Sequence, residues 1–170
     1  MRNLIPVIVA VCCPMMVFCQ DITGLWKGTM YNDSTKQSLA YEIVITKEKG
    51  KFTGFSQTSY TVNDKKFYGI KKVNVRVAKD GKIVLQDAKL LENNYNSQEN
   101  KNVIQLNVLD IANSGNEHFM DGIFVTNRSK EYQAVTGRMS IKKVNPLVVQ
   151  SDLMKYLQKN AEADNMTVVK

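Results

Sequence analysis

Of the chain's seven tyrosines, five lie at or beside the longer breaks between its apolar runs: Tyr31, Tyr60, Tyr68, Tyr95 and Tyr132. A phenol offers an apolar ring face and one hydrogen-bonding tip, which suits an amphipathic or sugar-like ligand. Arg128 falls at a break of the same kind, where its guanidinium can pair with a ligand carboxylate or phosphate. The competing reading is packing alone, because tyrosine is common at strand ends with its ring on the sheet and its hydroxyl in water. Bond-making chemistry has thinner support. His118 is the single histidine, which nearly excludes a metal site of several Cys and His, and no serine stands in a G-x-S-x-G elbow. Asp87 and Asp121 sit within strand patterns, where two inward-facing carboxylates would perturb one another. Their plainer readings are outward-facing acids, or acids hydrogen-bonded to Gln105 or Asn107. The chain therefore reads as a binding protein without catalytic residues, metal or cofactor.

Strands must position those side chains. From Ile22 onward, short runs rich in Val, Ile, Thr, Tyr and Phe predict strands at about 22–31, 38–48, 51–60, 67–78, 82–92, 103–112, 118–126 and 132–143. Leu39, Tyr41, Ile43 and Ile45 alternate with polar or smaller neighbours, as do Val73, Val75 and Val77, the period of a half-buried strand. Lys79-Asp80-Gly81-Lys82 carries the Asp-Gly of a tight hairpin, and Glu48-Lys49-Gly50 and Asn113-Ser114-Gly115-Asn116 are turns of the same kind. Connections this short cannot carry parallel crossovers, so neighbouring strands pair antiparallel. The fold class is all-β: an eight-stranded up-and-down barrel, whose closure removes exposed edges, with a sandwich as its competitor. In such a meander the odd connections (32–37, 61–66, 93–102 and 127–131) share one end and are the longer set, marking it as the open mouth. After Asn145-Pro146, the stripe Val149, Leu153, Met154, Leu157 and Ala161 predicts one C-terminal α-helix over 145–161, packed on the barrel, followed by a tail at 162–170.

The first nineteen residues carry a different message. Arg2, the apolar run Leu4–Phe18 and polar Gln20-Asp21 read as a signal peptide cleaved after Cys19. The run is shorter than the roughly 20 residues a membrane-spanning helix needs, and Pro14 interrupts it. Removal takes all three cysteines and Arg2, leaving 151 residues with 22 basic against 16 acidic side chains. Residues 20–144 are then a barrel domain, secreted or periplasmic, of bacterial type, held by its core alone. The positive charge is scattered over alternating faces such as Lys71-Lys72 and Lys142-Lys143, so it argues for solvation and against nucleic acid.

Gly24-Leu25-Trp26 opens the first predicted strand and resembles the G-x-W signature of the lipocalins. The resemblance implies an eight-stranded barrel plugged at its closed end by Trp26, with an Arg of the last strand, here Arg138, beside it. It implies a small-ligand role as well. The T-D-Y-type motif of that family is absent between Leu109 and His118, while Gly50-Lys51-Phe52-Thr53-Gly54 is similar to the avidin-like relatives. The expected partner is a small hydrophobic or amphipathic molecule at the mouth. A cell-envelope module with a filled core, meeting protein or glycan through its loops, is the alternative, and a small outer-membrane barrel the third reading. That last would need a continuous apolar outer band, which Lys71 and Lys142-Lys143 interrupt.

Overall fold

Period-two apolar runs bounded by turn residues form eight strands: β1 (Gly24–Asn32), β2 (Ser38–Glu48), β3 (Lys51–Val62), β4 (Lys65–Val77), β5 (Ile83–Asn93), β6 (Gln105–Ser114), β7 (Glu117–Thr126) and β8 (Thr136–Val144). The computed structural model describes residues 21–95, 103–130 and 132–167, with side chains to Ala161. The expected leader lies outside the described residues, as does most of the β5–β6 connection. Each strand pairs antiparallel with its sequence neighbours, and β8 returns to β1 from Leu25↔Val144 to Asn32↔Gly137, closing a barrel. The alternative of two packed sheets is thereby excluded.

Closure demands a close approach along the β1–β8 seam. Gly28 and Gly137 supply it, because a Cβ at either would run into the facing backbone, at Ser140 and at Tyr31 respectively. Among the described residues the β5–β6 ladder is the short one, with four residue pairs from Ile83↔Leu109 to Gln86↔Leu106, against seven to ten in every other ladder. Above it, the backbone N–H of Gln105 donates to the Asp87 carboxylate at 3.0 Å instead of to a strand carbonyl.

One expectation about the connections fails. The β3–β4 link is a two-residue turn at Asn63-Asp64, with φ of 48° and 59°, not a long loop over 61–66. Both side chains tolerate left-handed backbone, so the strands run further before turning. The helix also begins later than the Asn145-Pro146 signal suggested. Asn145 forms a turn, its carbonyl accepting from Val148 and Val149 at 3.1 and 3.0 Å. The helix α1 spans Asp152–Thr167, capped by Ser151, whose Oγ accepts the Met154 N–H at 3.1 Å and donates to Glu42. Leu153 is fully buried, and Lys27 ties the sheet to this segment through Glu42 at 2.8 Å and the Gln150 carbonyl at 2.6 Å.

The interior divides into two halves. Near the even turns it is aliphatic, with Ile22, Ile43, Ile45, Val73, Val75, Ile83, Leu85, Leu109, Met120 and Ile141 packed around Trp26. Trp26 is buried, donates from Nε1 to the Ile22 carbonyl at 2.9 Å and plugs this end. The cation over its ring is Lys143, at 5.9 Å, and not Arg138. Antiparallel closure places Trp26 opposite Lys143, whereas Arg138 lies opposite Tyr31 near the other end and is exposed on the outer wall.

Candidate functional site

Toward the odd connections the interior becomes aromatic and polar. Alternation along β3 and β4 turns Tyr60 and Phe67 inward, and their rings stack with centroids 5.4 Å apart. Tyr95, just past β5, also stacks on Tyr60, with centroids 6.1 Å apart. Its place is set by Asn93, whose Oδ1 accepts the Tyr95 N–H at 3.0 Å, and by Gly69, where any Cβ would collide with the Tyr95 hydroxyl. Asn94 fixes the same corner from outside, accepting from Tyr68 N at 2.7 Å and donating to the Lys66 carbonyl at 2.9 Å. Burial, followed by the fields of Tyr60, Asp87 and Tyr132, pushes the Tyr95 phenol up to about 12.

Beneath these rings lie polar groups that an ordinary barrel core would lack. Asp87, on the inner face of β5, pairs with Lys71 of β4; their side chains are 9% and 26% exposed. Gln105 Nε2 donates to Asn107 Oδ1 at 2.7 Å, and Asn107 Nδ2 reaches the Leu85 carbonyl at 3.4 Å. Tyr41 is buried with them, and among the described residues its hydroxyl has no hydrogen bond of good geometry, Ser56 being near but not bonded. Burial first, then the Asp87 charge, holds this phenol well above its ordinary value, while the nearby Ser56 hydroxyl opposes part of the rise. A buried phenol without a partner carries both an unused donor and an unused acceptor.

The predicted site residues separate accordingly. Tyr60 and Tyr95 meet at the mouth; Tyr132 is half-buried and close enough to Tyr95 to raise its pKa. Tyr31 and Tyr68 do not join them. Each is an odd number of residues from an inward neighbour on its own strand (Trp26 and Phe67), so each faces outward. Tyr31 lies opposite Arg138 beside a shallow outer groove with Thr29 and Asp121. Tyr68 donates to Glu92 Oε1 at 2.6 Å under α1. Arg128 is exposed on the β7–β8 connection. Asp121 is exposed outside the wall while Asp87 is inside, so the two acids form no pair. His118 sits exposed at the β6–β7 turn, bonded through Nδ1 to Asn113 Oδ1 at 2.6 Å. Among the described residues no three His, Cys, Asp or Glu side chains gather to hold a metal.

Phe67, Lys71 and Tyr41 are the mouth and interior residues that the tyrosine-at-loops rule missed. Alternation alone locates Phe67 and Lys71 with Val73 on one face, and Tyr41 with Ile43 and Ile45.

These features define a class: a closed antiparallel meander barrel with one end plugged by a tryptophan, an aromatic and polar other end, and a C-terminal helix, which is consistent with a lipocalin-like plan. No protein-family model, curated protein or solved structure matches the chain.

Proposed function

We propose that this protein binds a small amphipathic molecule at the odd-connection end of its barrel, without chemically changing it, in the periplasm or outside the cell. The observation that carries the reading is the unpartnered Tyr41 hydroxyl, buried below the Tyr60, Phe67 and Tyr95 rings. A ligand with an apolar body and a hydroxyl or carbonyl head satisfies both levels: its body lies against the rings and its head meets Tyr41. The Lys71–Asp87 pair balances its own charge, so the head is uncharged. Lipocalin membership is part of this proposal and rests on the barrel plan, the G-x-W triplet and the plug formed by Trp26 with Lys143 above it.

The envelope-module reading has one feature in its favour. Ile123 and Val125 are 61% and 39% exposed on the outer wall, next to Val108 and Leu106 on the paired strand. A fully lipid-facing barrel fits poorly, because α1 covers part of the outer wall and Arg76, Asp121, Arg138 and Lys142 face outward elsewhere.

Native mass spectrometry of protein purified from its source organism, followed by thermal-shift screening of lipids, sugars and porphyrins, tests the proposal. A retained or stabilising small molecule that is lost in a Tyr60→Ala/Tyr132→Ala double variant supports it. Uniformly ligand-free protein with no shift across the panel overturns it, and full affinity in the double variant overturns the choice of mouth.

A further inference from the structure

The outer wall under the first turns of α1 holds a second group of polar side chains, separate from the barrel interior. A cleft of about 250 Å³ lies there between helix and sheet. Gln57, Tyr68 and Ile70 line it from the sheet, with Glu92 from β5 and Tyr156 from the helix. Lys66 and Asp152 flank it as an ion pair that also links β4 to the helix start.

Three observations show that this is more than a packing gap. Gln57 is only 4% exposed, and it faces outward from β3 as part of the cleft wall. Its amide carries two N–H donors and a carbonyl acceptor at a wall where a ligand could meet them. Glu92 uses Oε1 to accept the Tyr68 hydroxyl at 2.6 Å, which leaves Oε2 as an acceptor of further donors. The Tyr156 phenol is raised by burial and then by the Glu92 charge, so its hydroxyl lies in the same neighbourhood.

The chemistry of these groups narrows the occupant. Lys66, the cation lining the cleft, is already engaged by Asp152, and Glu92 repels anions, so phosphate and carboxylate ligands are disfavoured. Ligand clefts typically run from ~300 to 1,000 Å³, which makes this one too small for a lipid or a porphyrin and right for a single ring. An amide and a carboxylate together accept from and donate to neighbouring hydroxyls, while two tyrosines and Ile70 meet the C–H faces between them. We infer that the α1–β3–β5 cleft is a second binding site, for one neutral sugar residue, either free or at the end of a glycan. It does not depend on a ligand in the barrel.

Amide-detected NMR titration of the full chain with glucose, N-acetylglucosamine and a trimer of N-acetylglucosamine tests this. The expected result is saturable shifts at Gln57, Tyr68, Glu92 and Tyr156, with dissociation constants of ~1 mM and about tenfold weaker binding in Gln57→Leu. Tyr156→Phe, a helix-surface change that preserves packing, gives the same weakening and decides the matter if Gln57→Leu does not fold. Tyr60→Ala, at the barrel mouth, leaves these shifts unchanged, which separates this site from the interior one. Binding by the trimer alone identifies the ligand as a glycan end, and binding by a monosaccharide as a free sugar. The inference is overturned if none of the three sugars gives saturable shifts, if the shifts map elsewhere, or if both Gln57→Leu and Tyr156→Phe bind like the wild type.

Discussion

Tyr41 concentrates the argument at the level of single residues. Its ring packs with Ile43 and Ile45 as a core residue should, while its hydroxyl is buried near Ser56 and the interior polar groups without a formed hydrogen bond among the described residues. Leaving such a group unsatisfied costs ~1–3 kcal/mol. Tyr41→Phe is therefore expected to stabilise the ligand-free protein by about 1–2 kcal/mol, seen as a higher urea midpoint, while weakening whatever the barrel binds. Stabilisation without any loss of ligand would show that the hydroxyl is a packing defect and not a contact. The alternation of Leu39, Tyr41, Ile43 and Ile45 made the inward direction of this ring legible in the sequence. The missing partner was not, because it depends on side chains from β3 and β5 that only the closed sheet brings near. The assignment of Tyr31 and Tyr68 to the mouth failed for a readable reason: proximity to a connection was weighed above the parity that turns each outward. Arg138 failed similarly, since a tryptophan at the start of β1 must meet the end of an antiparallel β8, where Lys143 stands.

Strands were the most legible elements, because one-sided burial enforces a two-residue period and short turns leave only antiparallel neighbours. What the pattern did not contain was the quality of each seam, which depends on shear and bulges. Register shifts at Ile70/Lys71 and Lys72/Val73 re-aim β5 against β4. Beyond Gln86↔Leu106 no further β5–β6 pair is formed among the described residues, and Asp87 takes the Gln105 N–H. A short ladder next to half-buried polar groups is the expected place for local opening. Hydrogen exchange should be roughly tenfold faster at amides bonded across β5–β6 than across β3–β4, whose ladder runs from Thr53↔Asn74 to Val62↔Lys65. Addition of a barrel ligand should narrow that difference. Equal protection at both seams would show that β5–β6 is not the weak side of the barrel. The helix start was misplaced because Asn145-Pro146 carries turn and helix signals alike. Ser151, with Asp152 next to it, is the cap that a turn-aware reading would choose.

Across the whole molecule, the division between an aliphatic half and an aromatic, polar half should appear as a pH dependence. Tyr95 is held at about 12 and Tyr41 is raised further by deeper burial, whereas both ionise near pH ~10 in an unfolded chain. Above pH ~10 the unfolded state has released protons that the native state still holds, so stability falls as pH rises. The contribution of Tyr95, ~2–3 kcal/mol, is complete below pH ~10 and lost as pH climbs through about 12. Tyr41 extends the same loss to higher pH. Lysines titrate in this range as well, so the comparison must be between variants. Urea midpoints measured upward from neutral pH should decline less steeply above pH ~10 in Tyr95→Phe and in Tyr41→Phe than in the wild type, because each removes one of the titrations linked to unfolding. The circular dichroism of the folded state should stay constant until that decline begins. Identical alkaline limbs in all three proteins would mean that these phenols ionise in place, with water already reaching them, and that the upper half of the barrel is open to solvent.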